Sequence, residues 1–368
     1  MSDTAVPPPP TSPREFPCGA CGARLEYSAG ARQMRCPYCG SEEKIPEATR
    51  TVREHAVETL FARKPAAQVA GHRFVCQGCG AHIQGDHLAQ TCQFCTAPLV
   101  TDDSADVQVP PEAVLPFTVE RRAAHDALGT WTNSRWFAPN SLKKVNEAER
   151  FKSTYLPHWT FDAQTVSDYK GQRGEYYWVT ETYTVQENGK SVTKTRQVRK
   201  TRWYPARGRV SRFFDDVLVN GTTQVAPEKV DALKPWPLDK ARPYAHEYLA
   251  GHEALRYDVE PEQGLQTAKQ TMARTIEQDC KRDIGGDEQR VTSVDTAYSQ
   301  VTGKLLLVPV WAGAYLHGGK TWQIVINGCT GEVQGERPYS AAKITAAVLA
   351  AIVLIALVVF LFMQYGGG

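Results

Sequence analysis

Alternating apolar and polar residues dominate the middle of the chain and predict antiparallel strands there. The clearest alternation runs from Tyr176 to Gln186, and a second β-prone run begins at Ser191. Between them lies Asn188-Gly189, a pair that fits the tight turns joining two strands, so the pattern predicts a β-hairpin. Further Asn-Gly steps at residues 220–221 and 327–328 predict other strand ends.

A helical period replaces the alternation further along the chain. It predicts a helix from Pro261 to Asp283, ended by Gly285-Gly286. Its apolar residues recur at spacings of three and four, at Leu265, Ala268, Met272, Ile276 and Cys280. Cys280 is therefore predicted to be a core residue. An amphipathic helix from Val119 to Trp131 is also expected.

The last long segment is apolar throughout. Ile344 to Met363 contains no charged residue, and 20 helical residues span about 30 Å, the thickness of a bilayer core. This predicts one transmembrane helix. Arg337 and Lys343 precede it and no charge follows, so the positive-inside rule places the N-terminal bulk in the cytoplasm, on the cytoplasmic (inner) membrane.

Composition adds little beyond this pattern. The chain has 368 residues and a formal net charge of +2, which excludes a general electrostatic attraction to nucleic acid. Residues 1–13 lack the apolar stretch of a signal peptide and contain four consecutive prolines, which predicts an extended, disordered lead.

Eight of the ten cysteines form four CxxC pairs. They are Cys18 and Cys21, Cys36 and Cys39, Cys76 and Cys79, and Cys92 and Cys95. Two thiolates on one turn can bind one metal, and a glycine after the second cysteine, as at Gly22, Gly40 and Gly80, permits the positive φ of such turns. The repeated spacing predicts two four-cysteine zinc ribbons, each with one zinc ion.

Four thiolates leave no coordination position for water or substrate, so both sites are expected to stabilise folding rather than to catalyse. Iron in a rubredoxin-like site is the main alternative to zinc. Neither ribbon has the clustered basic face that phosphate binding needs, which favours a protein partner over nucleic acid.

Basic residues concentrate in one later segment. Lys194 to Arg212 holds eight of them and no acidic residue. The simplest interpretation is the exposed face of the hairpin. Anionic lipid headgroups are a second possibility, with contacts from Lys194, Arg196, Arg199, Lys200 and Arg202, and nucleic acid is a third.

The fold class is predicted to be multidomain, with two small four-cysteine zinc ribbons, an α+β domain rich in antiparallel strands, and one C-terminal transmembrane helix. The predicted boundaries are the lead at 1–13, the ribbons at 14–50 and 72–103, a linker or short helix at 51–71, the α+β domain at 110–338 and the span at 344–363. A weak internal repeat relates Leu156–Trp159, followed by a turn at Tyr169–Gly171, to Val308–Trp311, followed by one at Gly318–Lys320. Trp159 and Trp311 are the expected core anchors.

The sequence contains two near-matches to catalytic motifs, and neither is complete. Gly318-Gly319-Lys320-Thr321 resembles the end of a phosphate-binding loop, but position 314 is alanine and the context is a hairpin. His246 and His252 have the wrong spacing for a metalloprotease helix. We therefore expect no enzymatic activity and no small-molecule substrate, although a membrane-bound enzyme remains an alternative.

The sequence resembles a bacterial family of membrane-anchored proteins with zinc ribbons of the general-transcription-factor type, often labelled primosomal-helicase-like. The resemblance rests on the CxxC pairs and on Tyr155–Trp159, Pro309–Trp311, Ile326–Gly328, Thr330-Gly331 and Pro338–Ser340. It implies a protein of phage-shock-type operons that recruits a band-7 (SPFH-like) partner to the membrane. The alternative is a nucleic-acid-binding or replication-associated protein without a helicase motor.

Overall fold

The computed structural model describes residues 16–46, 50–62, 72–75, 82–85, 87–91, 98–100, 109–134, 152–187, 189–225, 227–233, 235–317, 320–335 and 340–365. Its strands are β1 Glu26–Ser28, β2 Gln33–Arg35, β3 Glu42–Glu43, β4 His55–Ala56, β5 His72–Val75, β6 His82–Gly85, β7 His87–Thr91, β8 Pro98–Val100, β9 Ala113–Val114, β10 Lys152–Glu187, β11 Lys190–Asn220, β12 Arg242–Pro243, β13 Glu253–Leu255, β14 Glu288–His317, β15 Lys320–Asn327 and β16 Val333–Gly335. The α-helices are α1 Val57–Phe61, α2 Arg121–Asn133, α3 Pro227–Asp231, α4 Pro261–Ile284 and α5 Ala341–Tyr365.

Three very long strands form the centre of a large, mainly antiparallel sheet. β10 pairs with β11 on one side and with β14 on the other. The predicted hairpin is present, because Glu187 pairs with Lys190 across a two-residue turn. The predicted turn at Tyr169–Gly171 is wrong. These residues lie inside β10, where a register shift between Lys170 and Gly171 lets the strand continue.

The two segments of the predicted repeat are neighbours in this sheet. Leu156 pairs with Val308, and Trp159 pairs with Leu305, in antiparallel register. Because both strands are buried on both faces here, each shows a nearly continuous apolar run rather than alternation. β14 then turns into β15, with His317 opposite Lys320, so the near-match to a phosphate-binding loop joins two strands.

Helix α4 covers one face of the sheet, and its predicted apolar stripe is buried. Cys280 is fully buried there, as expected. The helix lies so close to the sheet that a Cβ at Gly264 would stand 2.9 Å from Cδ1 of Trp159. Glycine at this position therefore permits the close approach of helix and sheet.

The buried residues form three apolar clusters, and the two predicted anchors belong to different ones. Trp159 lies beneath α4 with Phe161 and Met272. Trp311 lies further along the same face, six residues after Leu305, the pairing partner of Trp159, and it packs with Phe117 and with residues from the N-terminal cysteine unit, residues 16–46. The cysteine unit, built on the small sheet of β1, β2 and β3, thus shares a core with the large sheet.

Helix α5 stands apart from these cores. Its window Lys343–Phe362 has a mean hydropathy of 3.1 and none of it is buried. The helix is long and apolar enough to span a membrane.

Candidate metal centre and its surroundings

Four cysteines converge at one end of the cysteine unit, carried by two loops of similar geometry. In the first, the Gly22 amide donates to the Cys18 carbonyl at 2.9 Å; in the second, the Gly40 amide donates to the Cys36 carbonyl at 3.0 Å. The two glycines have φ of 72° and 73°, a left-handed conformation that few other residues adopt readily. The glycines thus close both loops in the way that the sequence pattern predicted.

The sulfur atoms lie at metal-binding separations. Cys18 Sγ is 3.7 Å from Cys39 Sγ, and Cys21 Sγ is 3.6 Å from Cys36 Sγ. All four lie within 4.8 Å of one another. A tetrahedral site with metal–sulfur bonds of about 2.3 Å places its sulfurs about 3.8 Å apart, whereas a disulfide is about 2.05 Å long. The four-cysteine cluster fits one tetrahedral metal ion and contains no disulfide.

Backbone amides prepare part of this cluster for ionisation. Hydrogen bonds from the amides of Cys21 and Ala20 lower the pKa of Cys18 to about 7. The amides of Cys39 and Tyr38 likewise lower the pKa of Cys36. The Ala23 amide also favours the thiolate of Cys21, but the thiols of Cys39 and Cys36 and burial outweigh it and raise the pKa of Cys21 to about 12. The protein alone does not stabilise four adjacent thiolates, so a bound cation would complete the site.

The cluster has a buried side and an exposed side. Cys18 and Cys36 are buried, while Cys21 and Cys39 are exposed. Between the cysteines of the second loop, Tyr38 is 83% exposed. This loop therefore presents a large aromatic ring to solvent beside the metal ligands.

Tyr27 attaches the cysteine unit to the large domain. Its hydroxyl donates to the Phe117 carbonyl at 3.2 Å, and its amide donates to the Ala250 carbonyl at 2.9 Å. Its ring meets Tyr248 edge-on at 5.4 Å. A Cβ at Gly251, where φ is 83°, would stand 2.9 Å from Cβ of Glu26, so glycine allows this contact.

His252 lies in the same interface and was not predicted to be functional or structural. It stacks on Phe117 with ring centroids 4.6 Å apart. Burial lowers its pKa to about 4, so the ring is neutral near pH 7. Because His252 is far from the cysteines in the sequence, sequence analysis did not place it in this interface.

The second set of predicted ligands, Cys76, Cys79, Cys92 and Cys95, lies outside the residues that the structure describes. The strands on either side of the two pairs are described. β5 pairs with β6, β7 pairs with β8, and β7 joins β13 of the large sheet.

The predicted lipid-contact residues lie on a projecting two-stranded arm. We define the arm as Glu175–Glu187 and Lys190–Arg202, which continue past the last pair with β14, Gly174 and Glu288. Thirteen paired residues at about 3.3 Å each give a length of about 43 Å. In the described part of the chain, no third strand covers the arm.

The pairing register distributes the five basic residues over both faces of the arm. Lys194, Arg196, Lys200 and Arg202 stand opposite Tyr183, Glu181, Tyr177 and Glu175. Because paired residues share a face and successive residues point to opposite faces, these four lie on one face, and Arg199, opposite Trp178, lies on the other.

Stacking between guanidinium groups and aromatic rings stabilises both faces. Arg202 lies 4.9 Å from the ring centroid of Tyr177, and Arg199 lies 4.1 Å from that of Tyr176. Such contacts contribute about 0.5–1 kcal/mol each at exposed sites. Trp178 nevertheless remains 65% exposed, so the arm offers cations and aromatic surface together.

A charged cluster inside the sheet was missed by sequence analysis. Lys304 is buried and its ammonium group contacts Glu54 and Asp216, which joins the segment before α1 to β11 and β14. Asp162 accepts the Asp216 amide at 2.7 Å. Three carboxylates at this spacing resemble a cation site, but the Lys304 ammonium already supplies the positive charge. A single lysine before the apolar run Leu305–Val308 of β14 gave no signal of this pairing.

The chain is similar along most of its length to a bacterial protein whose name gives no activity. The chain is 22% identical over 336 residues to "Uncharacterized protein YdjG" of Bacillus subtilis (strain 168), a match that covers 90% of this chain and 92% of that protein. No family model matches the chain, and no solved structure matches it.

Proposed function

We propose that this chain is a membrane-tethered zinc-ribbon scaffold that recruits a protein partner to the cytoplasmic face of the inner membrane. The observation that carries the proposal is the combination of a four-cysteine cluster on a folded body with the unburied apolar helix α5. Such a chain confines whatever it binds to the membrane surface and raises its local concentration.

The proposed cofactor is zinc, with two ions per chain. Sulfur separations of 3.6 and 3.7 Å support one such ion in the first unit. The second ion rests on the matching spacing of the other four cysteines. Metal analysis of the purified chain separates zinc from iron, because both accept four thiolates.

The proposed role is binding rather than catalysis. Four protein ligands fill a tetrahedral site, so the metal would have no open position for a substrate. The resemblance to phage-shock-type proteins supports a band-7 (SPFH-like) partner, and its label as helicase-like would reflect the cysteine pairs alone.

The exposed tip of the second loop is the proposed contact for the partner. Tyr38 projects beside the ligands, and aromatic residues are frequent anchors of protein interfaces. Deleting the whole N-terminal region would be a poor test, because Leu25, Tyr27 and Met34 belong to the core shared with the large sheet. A point substitution at the tip avoids this disruption.

The test is a pull-down from membranes in mild detergent, with and without nuclease. We expect Tyr38→Ala to lose the partner while metal content and folding are retained. Tyr183→Ala on the arm is the matched control and should keep the partner. Deleting 344–368 should release the chain and its partner together. A partner that is retained by Tyr38→Ala but lost by Tyr183→Ala would move recognition from the ribbon to the arm.

The arm is proposed to contact anionic headgroups through Lys194, Arg196, Lys200 and Arg202. In nanodiscs, anionic lipid should protect amides of 175–202 from hydrogen exchange, and this protection should disappear when the four are changed to glutamine. Arg199→Gln, on the opposite face, is the control.

The alternative, nucleic-acid binding, is favoured by the same exposed cations and aromatic rings. It predicts that a labelled oligonucleotide binds with a steep salt dependence and that nuclease removes the captured partner. Neither result is expected if the chain is a protein scaffold.

A further inference from the structure

A cavity of about 680 Å³ lies where the cysteine unit meets the large domain. It is separate from the four-cysteine cluster and from the arm. Tyr27, Leu115, Tyr248 and Cys329 are among the residues that line it. This volume is within the range of small-molecule sites, which are typically about 300–1,000 Å³.

Four cations line the cavity, two from each side of the junction. Arg32 and Lys44 belong to the cysteine unit, while Lys240 and Arg242 belong to the segment around β12. None of the four forms an ion pair with another residue in the described part of the chain, and no carboxylate lines the cavity. Several positive charges in one concave surface attract an anion, and the bound anion reduces the repulsion between them.

The backbone of Arg32 adds an independent observation. Arg32 has φ of 54°, and its amide donates to the Ser28 carbonyl at 2.7 Å. Glycine or asparagine adopts this conformation more easily than arginine. Keeping arginine here costs conformational energy and places a guanidinium group at the cavity.

We propose that this cavity binds an organic phosphate, a small anion with two or more negative charges and an uncharged body. Arginine and lysine together suit phosphate oxygens, since the guanidinium fork binds two oxygens and the ammonium group is a compact charge. Leu115 and the two tyrosines provide surface for the uncharged part. The cavity is larger than inorganic phosphate requires.

The ligand would also join the cysteine unit to the large domain, because its negative charges would contact cations from both of them. Occupancy should therefore stabilise the docked position of the cysteine unit. The phosphate group comes either from a soluble metabolite or from a phospholipid whose headgroup is a phosphomonoester, and both supply the same doubly charged group. The inference is independent of the proposed partner, whose test is capture by the ribbon tip.

The test uses the full chain in phosphatidylcholine nanodiscs, titrated calorimetrically with inorganic pyrophosphate as the probe. Saturable binding and a raised melting temperature are expected. Lys240→Gln combined with Arg242→Gln should weaken binding by about tenfold or more, since each charge-assisted contact contributes roughly a factor of ten. Arg122→Gln combined with Arg274→Gln removes the same charge from exposed helix surfaces and should leave binding unchanged.

A second variant separates binding from folding. Arg32→Asn relieves the left-handed backbone and removes the charge, so the chain should be as stable as the parent while pyrophosphate binds more weakly. Equal binding by the parent, Arg32→Asn and the Lys240/Arg242 double variant would overturn the proposal, as would the absence of saturable binding to the parent.

The lipid composition distinguishes the two sources of phosphate. If phosphatidic acid in the nanodiscs, whose phosphomonoester carries up to two negative charges, competes with pyrophosphate, and the competition is lost in the double variant, the cavity takes headgroups. If pyrophosphate binding is the same in both kinds of nanodisc, a soluble organic phosphate is the ligand class.

Discussion

Replacing Tyr27 by alanine should show whether the cysteine unit depends on the large domain for its stability. Tyr27 is 5% exposed, and removing a buried aromatic ring typically costs about 3–5 kcal/mol. Loss of the hydrogen bond to the Phe117 carbonyl adds about 1 kcal/mol. The expected loss of unfolding free energy is therefore about 4–6 kcal/mol.

The assay is urea unfolding of the full chain in detergent, followed by tryptophan fluorescence, with metal content measured in parallel. Trp311 belongs to the same core, so its emission should report the change. Tyr38→Ala is the matched control. Because Tyr38 is 83% exposed, its replacement should change the free energy by less than about 0.5 kcal/mol.

One result would refute the reasoning. If Tyr27→Ala costs less than about 1 kcal/mol and the metal is retained, the cysteine unit is an autonomous domain stabilised by its metal alone. A large loss with the metal still bound would instead show that ligation and docking contribute separately to stability.

Three further predictions concern the metal ligand Cys36, the buried His252 and the buried Lys304. Cys36→Ser should remove one metal equivalent and leave a second, because the two predicted ligand sets do not mix; loss of both on metal analysis would contradict this. His252, whose pKa is lowered from 6.5 to about 4, binds its proton more readily in the unfolded chain. Its stabilising effect is therefore complete above about pH 6.5 and is lost towards pH 4, by up to about 3 kcal/mol. His252→Leu should flatten this part of the pH profile of the melting temperature relative to the parent. Lys304→Met should cost about 3 kcal/mol in urea unfolding, since it leaves the carboxylates of Glu54 and Asp216 without their buried partner, and Glu54→Gln in the same chain should recover part of the loss.

Local patterns predicted the local structures well. The spacing of apolar residues gave α4 within one residue, and Cys280 is in the core as expected. Asn188-Gly189 correctly marked a hairpin, since Glu187 pairs with Lys190 and Gly189 has φ of 76°. The positive φ of Gly22 and Gly40 followed from the CxxC geometry in the same way.

Long-range contacts were beyond sequence analysis. The Tyr169–Gly171 turn was wrong because glycine also occurs at strand irregularities, and only the partner strand decides between the two. The docking of Tyr27 on Phe117 and the pairing of Lys304 with Glu54 join residues far apart in the chain. No single-segment pattern distinguishes such residues from ordinary core or surface positions.

The shared core has a consequence for the order of folding during synthesis. Roughly 280 residues separate Tyr27 from Trp311, and at about 5–20 residues per second the ribosome needs about 14–56 s to produce them. Through that interval the cysteine unit is made but its docking surface is incomplete. Its four thiols, two of them on the buried side of the finished cluster, are already available to bind a metal ion, which would hold the unit folded before it docks. Metal binding would then come before docking, and the large sheet would form against a cysteine unit that is already folded.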